Sequence, residues 1–304
     1  RFWLLFPEKR EFFLENQGAF RIGDLSGRTV IPFFSRRIGL SASGQPIPLL
    51  GGARLTGRQG DYTVGLLNIQ TERFDGRPAD NFTTLRTARN FGGSSIGGFY
   101  LGREASGSTG HNRVAGGDIH LNLRRTMDIF GFLMGSDTTG GQTGRAGRAA
   151  FIFSERNYSA DFSYTNITPT FRNDLGFISR GDIGLFAWDT ARHFRSTRPN
   201  SLLRVVSVGT LGELYENSAH TALNSRRVRA YARESFADGG SLNTNLDFNY
   251  ERLTQPFEVS RGVFIPPGEY RFAQVLAGYG SNASQPVSFS ADTTLGDFYS
   301  GTIR

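Results

Sequence analysis

The chain contains no cysteine, which removes thiol catalysis, disulfide frameworks, zinc fingers and iron–sulfur ligation from consideration. Lysine is almost as scarce. Lys9 is the only one in 304 residues, so no phosphate-loop, kinase-type or Schiff-base lysine can come from the rest of the chain. There are two methionines and no run of 18 or more apolar residues, so no helix can span a membrane. A membrane barrel remains open, because its strands need only about 9–11 residues that are apolar on one side. No signal peptide is recognisable, the opening run FWLLF being too short for one.

What is abundant is strand and turn chemistry: 39 glycines, 27 phenylalanines and 10 tyrosines. The net charge of +7 comes almost wholly from arginines scattered along the chain, among them Arg54, Arg86, Arg124, Arg180, Arg229 and Arg271. Without a clustered basic patch, a nucleic-acid partner is not expected.

After residue 50 the hydrophobic period is two. In Ser241 to Leu253, Leu242, Leu246, Phe248 and Tyr250 share one face, and Asn243, Asn245, Asp247, Asn249 and Glu251 the other. Ala115 to Arg124 opposes Ile119, Leu121 and Leu123 to Asp118, His120, Asn122 and Arg124. Asn157 to Thr165 opposes Tyr158, Phe162 and Tyr164 to a face that includes Asp161. About fourteen such segments occur, near 53–59, 62–71, 82–90, 94–104, 112–124, 127–135, 148–155, 157–166, 181–192, 202–210, 226–236, 241–252, 269–279 and 286–297. Turn-forming stretches separate them, such as 106–112, 135–147, 195–200 and 236–240, and no helix-length link does. Antiparallel hairpins follow. GGSSIGG (92–98) lacks the ending of a phosphate loop and reads as a turn between strands. The arginine pairs 36–37, 124–125 and 226–227 would each put one arginine on either side of a strand.

A soluble sandwich also alternates, but its wet face usually collects lysine and glutamate. Here that face is Asn, Ser, Thr, Asp and Arg, opposite Phe, Tyr, Leu and Val. This suits lipid outside and a polar interior, within which arginine can pair with carboxylates bidentately. The expected fold is all-β: a large antiparallel up-and-down barrel of outer-membrane type with about fourteen strands over 51–304. An N-terminal helix and irregular segment over 1–50 would serve as its plug.

That helix is read from FPEKREFFLEN (6–16). Pro7 suits a first turn, Glu8 and Glu11 its positive end, and Gly18 a stop, giving two to three turns. Glu8, Glu11 and Glu15 would form an acidic stripe opposite Phe6 and Phe13, beside Lys9 and Arg10, with the acids meeting wall arginines.

FPEKREFFLEN, PFFSRRIG (32–39), GGARLTGRQGDYTVGLLNIQT (51–71), NFTTLRTARN (81–90), DLGFISRGDI (174–183), DFNYERL (247–253), IPPGEYRF (265–272) and LGDFYSG (295–301) occur in order. In these the chain resembles an uncharacterised bacterial family of outer-membrane barrels that typically follow a carbohydrate-binding family 9-like domain. The resemblance implies residence in the outer membrane of a Gram-negative bacterium, a sugar-binding-like domain upstream and further strands downstream. It carries no catalytic residues with it.

Nothing in the residues themselves points to catalysis. His111, His120, His193 and His220 lack metal-ligand spacing, and no GxSxG motif occurs. Asp247 and Glu251 stand about 13 Å apart on one strand, beyond glycosidase reach. No cofactor or metal is expected. The expected function is a passage for carbohydrate-like or anionic solutes, or an anchor for a module that binds them. A closed barrel for structural surface display and a soluble β-rich polysaccharide-binding or hydrolytic protein are the alternatives. Asp118, His120, Asn122, Arg124, Asp161, Asn243, Asn245, Asp247, Asn249 and Glu251 are the expected lumen-lining set.

Overall fold

The computed structural model describes residues 8–23, 29–41, 44–76, 78–108, 110–198 and 200–303. Phe6 and Pro7, part of the expected helix, lie outside them. The chain order begins with α1 (Glu11–Leu14), β1 (Val30–Ile31), β2 (Leu49–Gln59), β3 (Tyr62–Thr71), β4 (Asp80–Phe91), β5 (Ser94–Ala105), β6 (His111–Arg124), β7 (Met127–Thr138), β8 (Gln142–Ser154) and β9 (Tyr158–Ile167). It continues with β10 (Phe177–Ile178), β11 (Ile183–Arg195), β12 (Leu203–Glu216), β13 (Leu223–Phe236), β14 (Ser241–Leu253), β15 (Phe257–Ser260), β16 (Val263–Ile265), β17 (Gly268–Gly280), β18 (Ser290–Phe298) and β19 (Gly301–Ile303).

Fifteen of these strands form one up-and-down antiparallel sheet, ordered from β2 through β9, then β11 to β14, and finally β17, β18 and β19. The fold is thus all-β with one short helix, and each expected strand segment lies on a strand of this ladder. Tight hairpins explain the topology. Phe91 pairs with Ser94 across Gly92 and Gly93, which have φ of +54° and +86°, the left-handed values a two-residue connection needs. The rest of GGSSIGG is therefore strand rather than turn. The stretch 135–147 likewise contracts to a turn around Gly140 and Gly141, and β8 begins at Gln142.

α1 is a single turn, not two to three. Arg10 precedes it in an extended conformation, and the left-handed Asn16 ends it before a 3-10 turn over Gln17–Phe20. Glu8 is drawn out of any helix because its carboxylate accepts the Lys9 and Arg10 backbone N–H groups at 3.0 Å. Arg36 and Arg37 sit in a second 3-10 turn, Ser35–Arg37, rather than on a strand.

The chain forms two compact units, residues 1–150 with 165–183 and residues 151–164 with 184–304. In the first, one face of β2–β8 is covered by the N-terminal segment and by the link between β9 and β11. The link carries β10, which pairs with β1 as Val30↔Ile178 and Ile31↔Phe177. The core lies between sheet and cover: Phe13, Phe20, Ile22 and Ile38 from the N-terminal segment, Leu175 and Phe177 from the link, and Leu67, Ile69, Leu101, Val114 and Met134 from the sheet. In the second unit, β11 to β14 and β17 are long strands paired without interruption along β13 and β14.

Candidate functional site

The alternation of β6 turns Asn112, Val114, Gly116, Asp118, His120 and Asn122 to the covered face of the first unit. Asp118 forms a buried ion pair with Arg86 of β4, Nη1 to Oδ1 being 2.7 Å and Nη2 to Oδ2 2.8 Å. The pair also holds the N-terminal segment. Arg86 Nε–H donates to the Arg21 carbonyl at 3.0 Å, and Asp118 Oδ2 accepts the Gly23 N–H at 3.3 Å. Nearby, Phe20 lies over Gly65 of β3, where an added Cβ would come within 2.8 Å of the ring. Glycine is what lets the ring reach the sheet.

A second anchor holds the link. Arg103 of β5 donates to Asp174 at 2.9 Å and pairs with Asp80 at 3.0 Å, while Arg172 Nε reaches Asp174 at 2.7 Å. Asn112 donates to the Arg172 carbonyl and accepts the Asp174 N–H, at 2.9 and 2.8 Å. Asn173 Nδ2–H donates to the Pro32 carbonyl at 2.7 Å, tying link to N-terminal segment. Burial holds the neighbouring Arg37 guanidinium below its usual range, against the opposing charge of Asp174 and with that of Arg172.

The N-terminal segment is itself clasped. Glu8 pairs with Arg10 at 2.7 Å and accepts from Ser35 Oγ at 2.8 Å, and Arg10 donates onward to the Ser35 and Ile38 carbonyls. Burial raises the Glu8 carboxyl, but the hydrogen bonds from Arg10 and Ser35 and the Arg10 charge outweigh it, and the group falls to about 2. The expected acidic stripe is absent. Glu15 pairs with Arg54 of β2, a wall arginine, whereas Glu8 pairs inside its own segment and Glu11 and Lys9 are exposed. Phe13 is buried beneath Arg10, whose guanidinium carbon stands 4.1 Å from the ring centre.

The remaining residues of β6 form a smaller cluster. Asp128 of β7 accepts from Asn122 Nδ2 at 2.9 Å and lies 2.7 Å from His120 Nε2, and His120 stacks on Phe130 at 4.3 Å. Arg124, at the end of β6, is exposed and forms no ion pair among the described residues.

In the second unit the polar face is held together strand to strand. Asp247 of β14 takes a bidentate pair from Arg229 of β13, at 2.5 and 2.6 Å. Tyr231 donates to Asp189 at 2.6 Å, and Arg227 lies 3.4 Å from Glu213. His193 bridges Ser207 Oγ, at 2.8 Å, and Ser159 Oγ, at 3.2 Å. Asn243, Asn245, Asn249 and Glu251 share the Asp247 side of β14, opposite Arg233, Tyr231, Arg227 and Ser225 of β13. Asp161 is half-buried on the side of β9 that carries the buried Ser163.

The sequence reading missed Arg86, Arg103, Asp128, Asp174, Asp189 and Tyr231. A signal for Arg86 exists: in FTTLRTA it alternates with Phe82, Thr84 and Ala88, all of which are buried. No cluster of three or more acids and histidines able to hold a metal occurs among the described residues. The arrangement offers hydrogen-bonding arginines and carboxylates, with the His193 imidazole held between the Ser159 and Ser207 hydroxyls. Comparison with known protein families, curated proteins and solved structures finds no match.

Proposed function

We propose that this chain is part of an outer-membrane β-barrel of a Gram-negative bacterium. In this reading it serves as a passage for carbohydrate-like or anionic solutes, or as the anchor of an upstream sugar-binding-like module. One observation carries the reading: large apolar side chains stand exposed on one face of the strands, while charged side chains are buried on the other. Leu133 is 67 % exposed, Leu55 64 %, Leu123 55 % and Phe248 49 %, whereas Arg86, Asp118 and Asp247 on the opposite faces are 5, 8 and 4 % exposed. Large apolar side chains recurring on one face of nearly every strand suit hydrocarbon, and paired charges on the other suit a polar interior. The motifs running from FPEKR to GDFYSG accord with the same reading.

The test is behaviour in lipid. The chain should fold only with detergent or bilayer and migrate faster unheated than boiled on a denaturing gel. A protein that is monomeric and stable in plain buffer, without that shift, refutes the membrane assignment.

A closed barrel that only displays its partner domain is favoured by the cover on the first unit, where Phe20, Ile22, Ile38 and Leu175 fill the space beside the sheet. Planar-bilayer recording separates the two. Reproducible open steps support passage, and silence from protein with the gel shift supports closure.

A further inference from the structure

On the open face of the second unit lies a concavity of about 810 Å³, floored by Ala160, Ala230, Ala232, Thr190 and Thr244. The register explains its shape. One cross-strand row is Arg192, Val208, Ala232 and Thr244, and the next is Thr190, Thr210, Ala230 and Leu246. Small side chains on β13 lie between larger ones on β12 and β14, so a shallow apolar trough runs along the strands. At its rim near the strand ends stands Arg192, three residues before the end of β11. Its guanidinium carbon lies 4.7 Å from the Phe194 ring centre and 5.5 Å from that of Tyr158.

Arg192 is exposed and forms no ion pair among the described residues. The nearest acid on this face of β13, Glu234, belongs to the following row, opposite Val206, with β12 between it and Arg192. An unpaired arginine gripped by two aromatics at the end of an apolar trough is half of a two-part recognition. The trough takes something apolar and elongated, and the arginine takes an anion by charge-assisted hydrogen bonds.

Resting on the membrane reading above, we infer that this trough is a binding site for an anionic phospholipid, its acyl chain lying along Ala230 and Ala232 and its phosphate on Arg192. The aromatic clamp sets the guanidinium at the depth where headgroup phosphates meet hydrocarbon, and the long side chain can reach outward to them. A zwitterionic lipid would fill the trough equally well but lose the net attraction at the rim.

The experiment uses the chain inserted into vesicles of equal phosphatidylglycerol and phosphatidylcholine, extracted in mild detergent, with the retained lipid read by native mass spectrometry. Phosphatidylglycerol should be enriched about fivefold over phosphatidylcholine, the ratio corresponding to ~1 kcal/mol per basic residue at the surface. Arg192→Gln should return the ratio to that of the vesicles, and Arg192→Lys should keep most of it. Ala232→Phe, which fills the trough, should reduce retention of both lipids. Each variant must retain the unheated gel shift, which reports folding separately. An inserted, shifted wild type without enrichment, enrichment unchanged by Arg192→Gln, or lipid retention unchanged by Ala232→Phe, overturns the lipid site alone. A chain that never inserts overturns the membrane reading and this site with it.

Discussion

The two units use the same alternating strands for opposite ends. In the first, sheet side chains are addressed to segments that are not part of the sheet: Arg86 and Asp118 hold Arg21 and Gly23, Arg103 holds Asp174, and Gly65 admits Phe20. In the second, the polar side chains answer one another across neighbouring strands, as Arg229 does Asp247 and Tyr231 does Asp189. The lesson is that period-two alternation decides which face a residue occupies and leaves open what it meets there. A wall whose charges are mutually satisfied can stand without a cover. One whose charges are aimed at a cover loses its partners when the cover leaves.

The sharpest way to break the contrast is to remove one member of each ion pair. Arg86→Met leaves Asp118 charged, about nine-tenths buried and short of its main partner, and should cost ~3–5 kcal/mol of stability. The matching change Arg229→Met strands Asp247, which is just as buried, but should cost less because the place vacated by the partly solvated Arg229 lets water reach the carboxylate. Denaturant titration of both variants in one detergent checks the ranking. Equal losses would show that the cover adds nothing to the Arg86 pair. The double change Arg86→Met with Asp118→Leu should recover most of the loss, because no buried charge is then left alone.

Next in size is the fit of Phe20 against Gly65. Phe20→Ala should destabilise the first unit by ~3 kcal/mol through lost burial and a cavity. Gly65→Ala should cost ~1–3 kcal/mol by overpacking, since its Cβ would fall 2.8 Å from the ring. If the two side chains occupy one site, Gly65→Ala should cost far less in the Phe20→Ala background. A double-mutant cycle measures this directly, and simple additivity would separate Phe20 from the sheet. In the second unit, Tyr231→Phe removes only a hydroxyl bonded to Asp189 and should cost ~1–2 kcal/mol by the same titration.

Much of the sheet was legible because strand and face both follow from alternation. His111–Arg124 and Ser241–Leu253 lie almost where their patterns put them; Asp118, His120 and Asn122 share one face of β6, and Asp247 lies on the polar face of β14, as the spacing within each strand requires. The first half of β8 is hidden in the sequence because GGQTGRAG has the composition of a turn, and pairing within the ladder overrides local preference there. β10, β15, β16 and β19 are too short to show a period. The partners of the site were hidden for a different reason. Arg86 meets Asp118 across an intervening strand and Asp128 meets His120 across a hairpin, and register between strands is not encoded in either strand alone. The link from Thr168 to Asp182 carries no strand period of its own, and its Asn173 and Asp174 side chains tie it to Pro32 and Arg103.

The mildest perturbation, acid, acts on the cover through the clasp at Glu8. Glu8 is held at about 2 against an ordinary 4.5, so its carboxylate is more strongly bound in the folded clasp than in the free chain. A depressed carboxyl contributes its full stabilisation above the ordinary value and loses it as pH falls towards the folded one. The clasp formed by Glu8, Arg10 and Ser35 should therefore weaken progressively between about pH 4.5 and pH 2. Hydrogen exchange should show residues 8–41 losing protection over that window before the strands of the second unit do. Glu8→Gln should lower that protection at neutral pH and flatten its dependence over the same window, because no carboxylate is then left to titrate. If the segment opens at the same pH with glutamine in place, the clasp is not what holds it, and the hold must lie with Arg86 and Asp118 beneath.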